Sequence, residues 1–280
     1  MDEIKSEMEK LGLTDRDMLV KDLLKMLEQG SLNDVKIKLS DGEIVANKDI
    51  LMARSDYFAA MFRNNNFIEG ETGSADMSHC SKAVMERIIK FLFSGEVKFD
   101  KLSLPQLIEL SYTTDMMLLP KFKDTLEDYA RSYLVVNNED NDNIQFLPEI
   151  ISGLKLADEY NLTNLKEIII WELNLCLDYD VRAKDYFSTL PFNLMKDIIL
   201  CEDEYFFQSV QQEKLKAFMI WLSENEVSEE QKTEIVESFK FEDFTAEELL
   251  TSVRDSGLYS AKRIDERVLE LKNMIKEESK

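Results

Sequence analysis

His79 and Cys80 stand side by side, and an imidazole next to a thiol is the smallest set of groups that could make a nucleophilic cysteine. Adjacent residues point apart, however, and this pair reads as a loop entering a helix opened by Ser81 rather than as a reacting dyad. His79 is the single histidine, and the three cysteines, Cys80, Cys176 and Cys201, are widely spaced with no CxxC pair. A Cys/His zinc site would consume nearly that whole inventory, so no metal is expected and the thiols read as reduced. Gly70 and Gly73 form neither GxxxxGKS nor GxxxxGKT, and GxGxxG is absent, so nothing points to a nucleotide or other cofactor. Tyr205-Phe206-Phe207 and Met116-Met117-Leu118-Leu119 have the residue types that fill helix–helix gaps or interfaces rather than cofactor pockets. A catalyst of this size should show a nucleophile with its base, a metal cluster or a phosphate loop. With none of these, the chain is read as non-enzymatic.

The 280 residues allow one large or two ordinary domains. Hydrophobic residues make up 44% of them, while 8 Gly and 4 Pro are too few for a turn-rich sandwich, barrel or propeller. With 34 basic against 56 acidic residues the net charge is −22, which argues against neutralising nucleic-acid phosphates and against an anionic membrane surface. A protein partner is expected instead. Met1 to Lys10 is charged and has no apolar signal core, and nowhere do eighteen apolar residues run together, so a cytoplasmic or nuclear protein is expected.

Leu19, Leu23 and Leu27 fall at helical spacing ahead of Gly30. Val35, Ile37 and Leu39 then alternate with lysines, Asp41-Gly42 is a hairpin signal, and Ile44-Val45-Ala46 returns. Asn47 and Ser55 can each cap a helix. Residues 63–74 are polar and read as a loop, Ser81 opens a helix that stops near Gly95, and Val97 and Phe99 suggest a short strand. Helices follow at Ser103-Leu104-Pro105 and from Pro120, the latter with Phe122 and Leu126 on its buried stripe. Residues 137–143 lack any apolar side chain and are the natural boundary, and beyond them only helices are expected. These include one capped at Thr245 and a last one carrying Ile264, Val268, Leu271 and Ile275. The predicted architecture is an α+β domain with a small sheet of three to five strands over 15–135, an acidic linker at 136–143, and an all-α domain over 144–280.

Asp34-Val35, Val45-Ala46-Asn47-Lys48, Leu51, Ala53-Arg54-Ser55-Asp56-Tyr57-Phe58 and Met61-Phe62, taken in order, resemble the BTB (POZ) domain. Phe91-Leu92-Phe93-Ser94-Gly95-Glu96-Val97 looks like that family's Phe-x-Tyr-x-Gly-x-Val element, and Leu104 to Asp115 sits where it has a Leu-rich helix. Two positions depart from the pattern: Asn47 stands where His is frequent, and Phe93 where Tyr is usual. The second half resembles the helical BACK domain of kelch-type adaptors. Its Leu156-Ala157-Asp158-Glu159-Tyr160 with Leu165, its Phe187-Ser188-Thr189-Leu190-Pro191 with Leu194, and its Ala217-Phe218-Met219-Ile220-Trp221-Leu222 carry that likeness.

The resemblance implies a homodimeric adaptor that brings a cullin-3 ubiquitin ligase to a substrate protein, with a dimeric scaffold lacking ligase recruitment as the alternative. Cullin-3-binding BTB domains carry a hydrophobic-x-Glu triplet before the third strand, and Phe67-Ile68-Glu69 falls there; Val84-Met85-Glu86 and Leu147-Pro148-Glu149 match the bare pattern elsewhere. Phe67, Ile68, Glu69, Phe62 and Tyr112 are the expected cullin contacts. Leu19, Leu23, Leu27 and Met61 are the expected dimer contacts, because a lone domain would expose them. Met1–Leu13 shows no clear strand of the kind relatives exchange between protomers. No propeller repeats appear through Lys280, so the substrate, whose identity is open, is expected on the BTB or BACK surface or on sequence beyond this chain.

Overall fold

The computed structural model describes residues 16–30, 33–63, 67–138, 146–176, 184–201 and 209–278. The chain forms two compact units, 1–126 and 127–280.

In the first unit, helix α1 (Arg16–Gln29) ends at Gly30, whose amide donates back to the Met26 carbonyl at 3.2 Å. Strands β1 (Val35–Leu39) and β2 (Gly42–Ala46) form the expected antiparallel hairpin, with Val35 opposite Ala46 and Leu39 opposite Gly42. Period-two alternation puts Val35, Ile37 and Leu39 in the core and both lysines outside. β3 (Ser74–Met77) lies parallel to β1 on its other side, giving a three-stranded sheet in the order β2-β1-β3. Helix α2 (Lys48–Arg54) is capped by Asn47, whose Oδ1 accepts the Ile50 amide at 3.0 Å. The Ser55 hydroxyl accepts the Phe58 amide at the start of α3 (Asp56–Arg63).

Residues 67–74 are not the open loop that their polarity suggests. A short helix, α4 (Ile68–Thr72), stands there and delivers the chain directly into β3. Gly73 makes the reversal possible. It holds φ +64, and a Cβ built on it would lie 3.0 Å from the Asp34 carbonyl oxygen.

Helix α5 (Lys82–Ser94) turns one broad face inward, with Val84, Met85, Ile88, Ile89, Leu92 and Phe93 all in the core. It packs against α1, α2, β2 and α6 (Leu104–Met116). The segment after Gly95 forms no strand. Phe99 buries its ring against Phe122 at 6.4 Å, so the apolar side chains are satisfied without a sheet neighbour for the backbone. Phe122 closes a 3-10 turn (Pro120–Phe122) and meets Phe91 edge-on at 4.5 Å.

Helix α7 (Lys123–Asn138) runs on past the point where the side chains turn polar. Residues 136–138 of the expected linker are its last residues, because extending a helix by a few residues costs far less than starting one. The rest of that linker lies outside the described residues.

The second unit is helical throughout its described residues. α8 (Leu147–Glu159) pairs with α9 (Thr163–Cys176), and α11 (Phe192–Leu200) packs on α9. One side chain ties the three together: Lys166 Nζ donates to Asp158 at 3.1 Å and to Asp197 at 3.0 Å. These bonds, the Asp197 one first, hold its ammonium above the usual lysine range. α10 (Lys184–Phe187) and α12 (Ser209–Glu224) bring Phe187, Phe218 and Trp221 into one core. The Trp221 indole N–H donates to the Leu190 carbonyl at 2.8 Å, so the Phe-x-x-Leu-Pro and Trp elements meet in space.

α13 (Glu229–Ser238) begins at a Ser228–Gln231 capping box. The Thr245 capping box expected from the sequence opens a further turn, α14 (Ala246–Glu248), which widens into a π-turn at Leu249–Val253 and ends in α15 (Arg254–Ser256). α16 (Ala261–Glu278) buries Ile264 and Val268 and leaves Leu271 half-buried; the Ile275 side chain and Tyr205-Phe206-Phe207 lie outside what is described.

Gly73→Ala and Gly30→Ala share the same backbone angle, φ +64, but only the first meets a backbone oxygen. Left-handed backbone alone costs an L-residue about 1–2 kcal/mol. Urea unfolding of the first unit should therefore show Gly73→Ala as the more destabilised variant, and equal losses would remove the Asp34 contact as the reason. Truncation of Phe122, 1% exposed, should cost on the order of 3–5 kcal/mol in the same experiment.

Candidate protein-interaction surface

Phe67 has extended backbone, φ −119 and ψ 143, and immediately precedes α4. Its ring is 54% exposed and the Ile68 side chain 75% exposed, while Glu69 is half-buried. Two large apolar groups thus stand in solvent at the start of a five-residue helix, a length that would not hold by itself in water. Its neighbours hold it. The Gly73 amide donates to the Glu69 carbonyl at 3.0 Å, and the Gly73 carbonyl accepts the Lys36 amide at 2.8 Å, which fastens the end of α4 to β1. The Thr72 hydroxyl donates to the Ile68 carbonyl at 2.8 Å. Lys48 Nζ reaches the Gly70 carbonyl at 3.4 Å while lying 5.7 Å over the Phe62 ring.

Phe62 belongs to that support and not to the exposed surface. It is 2% exposed and stacks on Phe58 with centroids 6.0 Å apart. The expectation that it presents its ring to a partner is corrected by the α3 phase, which turns Phe58 and Phe62 to the same inner face. Burial, with the Glu69 carboxylate adding to it, pushes the Tyr57 phenol above its usual range. Tyr112 is half-buried on α6, a separate element from α4.

Of the expected dimer contacts, Leu19 is 59% exposed, Leu23 and Leu27 are half-buried where α1 packs on α5, and Met61 is half-buried on α3. Met18, 56% exposed, extends the apolar face of α1. The Met116–Leu119 run divides: Met117 and Leu119 are core, whereas Leu118 is 70% exposed and holds φ +56. Its amide donates to Asp115 and that of Leu119 to Thr114, a helix-ending reversal usually built on glycine. The only sequence signal for it is Pro120 close behind.

His79 is exposed and Cys80 fully buried, so the neighbours in sequence are in different environments. Burial, and then the Glu109 carboxylate, push the Cys80 thiol up to about 12, the reverse of what a nucleophile needs. Among the described residues no group of three His, Cys, Asp or Glu is placed to hold a metal ion, and no helix is long and apolar enough to cross a membrane. For a group whose folded value is raised, stability is fully present below the unfolded value and falls as pH rises. Unfolding at increasing pH should thus show a loss between 9.0 and about 12 that is smaller in Cys80→Ala, the remainder coming from phenols such as Tyr57 that burial also raises. A thiol reagent at pH 8 should leave Cys80 untouched until the unit unfolds.

Residues 23–133 match the family model of the BTB/POZ domain. Human Rho-related BTB domain-containing protein 1 is 27% identical over 155 residues, covering 55% of this chain and 21% of the relative. Kelch repeat and BTB domain-containing protein 2 of horsepox virus is 23% identical over 213 residues, covering 76% of this chain and 35% of the relative. Mouse Kelch-like protein 38 is 27% identical over 121 residues, or 42% of this chain and 20% of the relative. The chain thus spans between a fifth and about a third of the length of these proteins. Among solved structures, the BTB domain of human gigaxonin aligns with 96% of its own length on 42% of this chain, at 21% identity and TM-score 0.34. The family match falls on the stretch that builds the three-stranded sheet and its surrounding helices: residues 23–133 are similar to a BTB/POZ domain, and the chain continues from them into a region whose described residues are helical.

Proposed function

We propose that this chain is a dimeric adaptor whose BTB/POZ domain recruits a cullin-3 ubiquitin ligase to a substrate protein, with the helical region from residue 144 acting as a BACK-like domain. The observation that carries the reading is the pair Phe67 and Ile68, large apolar side chains held in solvent on an α4 that is tied to β1 and Lys48. An anchor of this kind binds well because its ordering is complete before the partner arrives. Glu69 stands beside it as a rim acceptor. Kelch-type proteins among the relatives support the adaptor class. The function requires a cytoplasmic or nuclear protein, where cullin ligases act.

The dimer rests on α1 and α3. Met18 and Leu19 project from α1 while Met61 is half-buried on α3, and pairing two copies would remove this apolar surface from water. Light scattering should return twice the 32.6 kDa of one chain, and Leu19→Glu should shift the protein toward the monomer. A parent protein that runs as a monomer at micromolar concentration would overturn the dimer.

Titration with the cullin-3 N-terminal region tests the anchor. Phe67→Ala should weaken binding by about 2–4 kcal/mol, roughly thirtyfold or more at about 1.4 kcal/mol per decade. Glu69→Ala should cost less, since a rim contact keeps part of its water. Phe122→Ala should bind as the parent does wherever it remains folded. A folded Phe67→Ala that binds like the parent removes the triplet as the anchor. A parent that does not bind at all leaves a dimeric BTB scaffold without ligase recruitment.

A further inference from the structure

A cleft of about 390 Å³ opens on the first unit between α1, the C-terminal half of α5 and the segment that follows Gly95. Arg87, Lys90, Lys98 and Lys101 line it, and Leu24 of α1 gives it an apolar wall. Among the described residues none of these four cations makes an ion pair, although lysines and arginines elsewhere in the chain do so repeatedly. Glu96 and Asp100 also border the cleft, yet the contact there is to the Asp100 backbone: its carbonyl accepts from Arg87 Nη2 at 3.0 Å. Arg87 Nε is buried with no hydrogen-bond partner. Lys101 holds φ +65, a conformation uncommon for a lysine.

This arrangement runs against the composition. In a chain with 56 acidic and 34 basic residues, cations find carboxylates easily, yet this cleft is bordered by four cations and only two carboxylates, with no ion pair among them, and so keeps a local excess of positive charge. We infer that the cleft docks a short acidic segment of a partner protein, its carboxylates set against Lys90, Lys98 and Lys101 and an apolar side chain against Leu24. An extended polyanion would feel the net charge of −22 of the whole chain, so nucleic acid and anionic membrane fit poorly. A peptide a few residues long stays within about 8–10 Å of the cleft, the distance over which charges act at physiological salt.

The probe is the fluorescein-labelled hexapeptide Glu-Asp-Leu-Glu-Asp-Glu, read by anisotropy against the full chain with no cullin present, beside its amide counterpart Gln-Asn-Leu-Gln-Asn-Gln. The acidic peptide should bind, the amide peptide should not, and affinity should fall about tenfold or more between about 50 and about 300 mM salt. The variant Lys90→Gln/Lys98→Gln/Lys101→Gln changes three exposed side chains, so it should melt like the parent and lose about tenfold or more in affinity for the acidic peptide. Equal binding of the two peptides, unchanged affinity in the triple variant, or no binding at about 1 mM peptide would overturn the proposal. So would tighter binding of a single-stranded DNA oligomer or of phosphatidylserine vesicles through the same three lysines.

Discussion

Two carboxylates from distant parts of the chain close on the start of α5, and the first unit depends on them. Asp41, in the β1–β2 turn, accepts the Lys82 amide at 2.7 Å, while Glu109, on α6, accepts both the Ser81 amide and its hydroxyl, the latter at 2.8 Å. The first amides of a helix have no partner within it, and negative charge is favoured at that end. Here those amides are answered from the hairpin on one side and a neighbouring helix on the other. Ser40 adds two bonds to the Cys80 carbonyl, from its amide at 2.9 Å and its hydroxyl at 3.1 Å, so the turn is locked to the chain two residues before the helix. A helix as apolar as α5 must be surrounded, and the two carboxylates fix which elements surround it.

That fixed frame is what allows α4 to present apolar groups at all. Five helical residues with Ile68, and Phe67 just before them, turned outward gain little burial of their own. The stability comes from the parallel β1–β3 ladder, the Gly73 reversal against Asp34 and the Phe58–Phe62 stack beneath. The basic cleft lies on the same scaffold and is held by different parts of it, the C-terminal half of α5 and the segment after Gly95. The domain therefore offers two unlike surfaces, one apolar and one cationic, and neither requires the other to form.

The second unit is built on other chemistry. Aliphatic side chains fill most of its described interior, and a cluster of rings joins its later helices, with Phe218 between Trp221 and Phe239 at 6.1 Å from each and Arg263 lying 4.5 Å over the Phe241 ring. Its polar links join elements across the core, as Lys166 does between α8, α9 and α11. Rings and long charged side chains span the gaps between helices, where no ladder of backbone bonds sets the spacing.

Residues 35–46 determine a hairpin by themselves, because alternation and an Asp-Gly turn are local signals. So are the caps at Asn47, Thr245 and the Ser103–Gln106 box, and the apolar period of α5. The likeness to a BTB domain was legible for the same reason, since its signature residues mark strand starts, caps and core positions that recur at fixed spacing. Position in the chain singled out Phe67-Ile68-Glu69, but not that the triplet sits on a helix. Only the tertiary structure decided that, through a glycine reversal whose partner, Asp34, is far away in sequence. Phe62 turned inward, Leu118 turned outward, and the stretch at Val97 and Phe99 formed no strand, because exposure and sheet pairing depend on neighbours that periodicity does not name. The cleft of unpaired cations was equally invisible, since Arg87, Lys90, Lys98 and Lys101 come together only after α5 turns at Gly95. Local patterns fix what each segment is; which of its faces meets solvent is settled by the other segments.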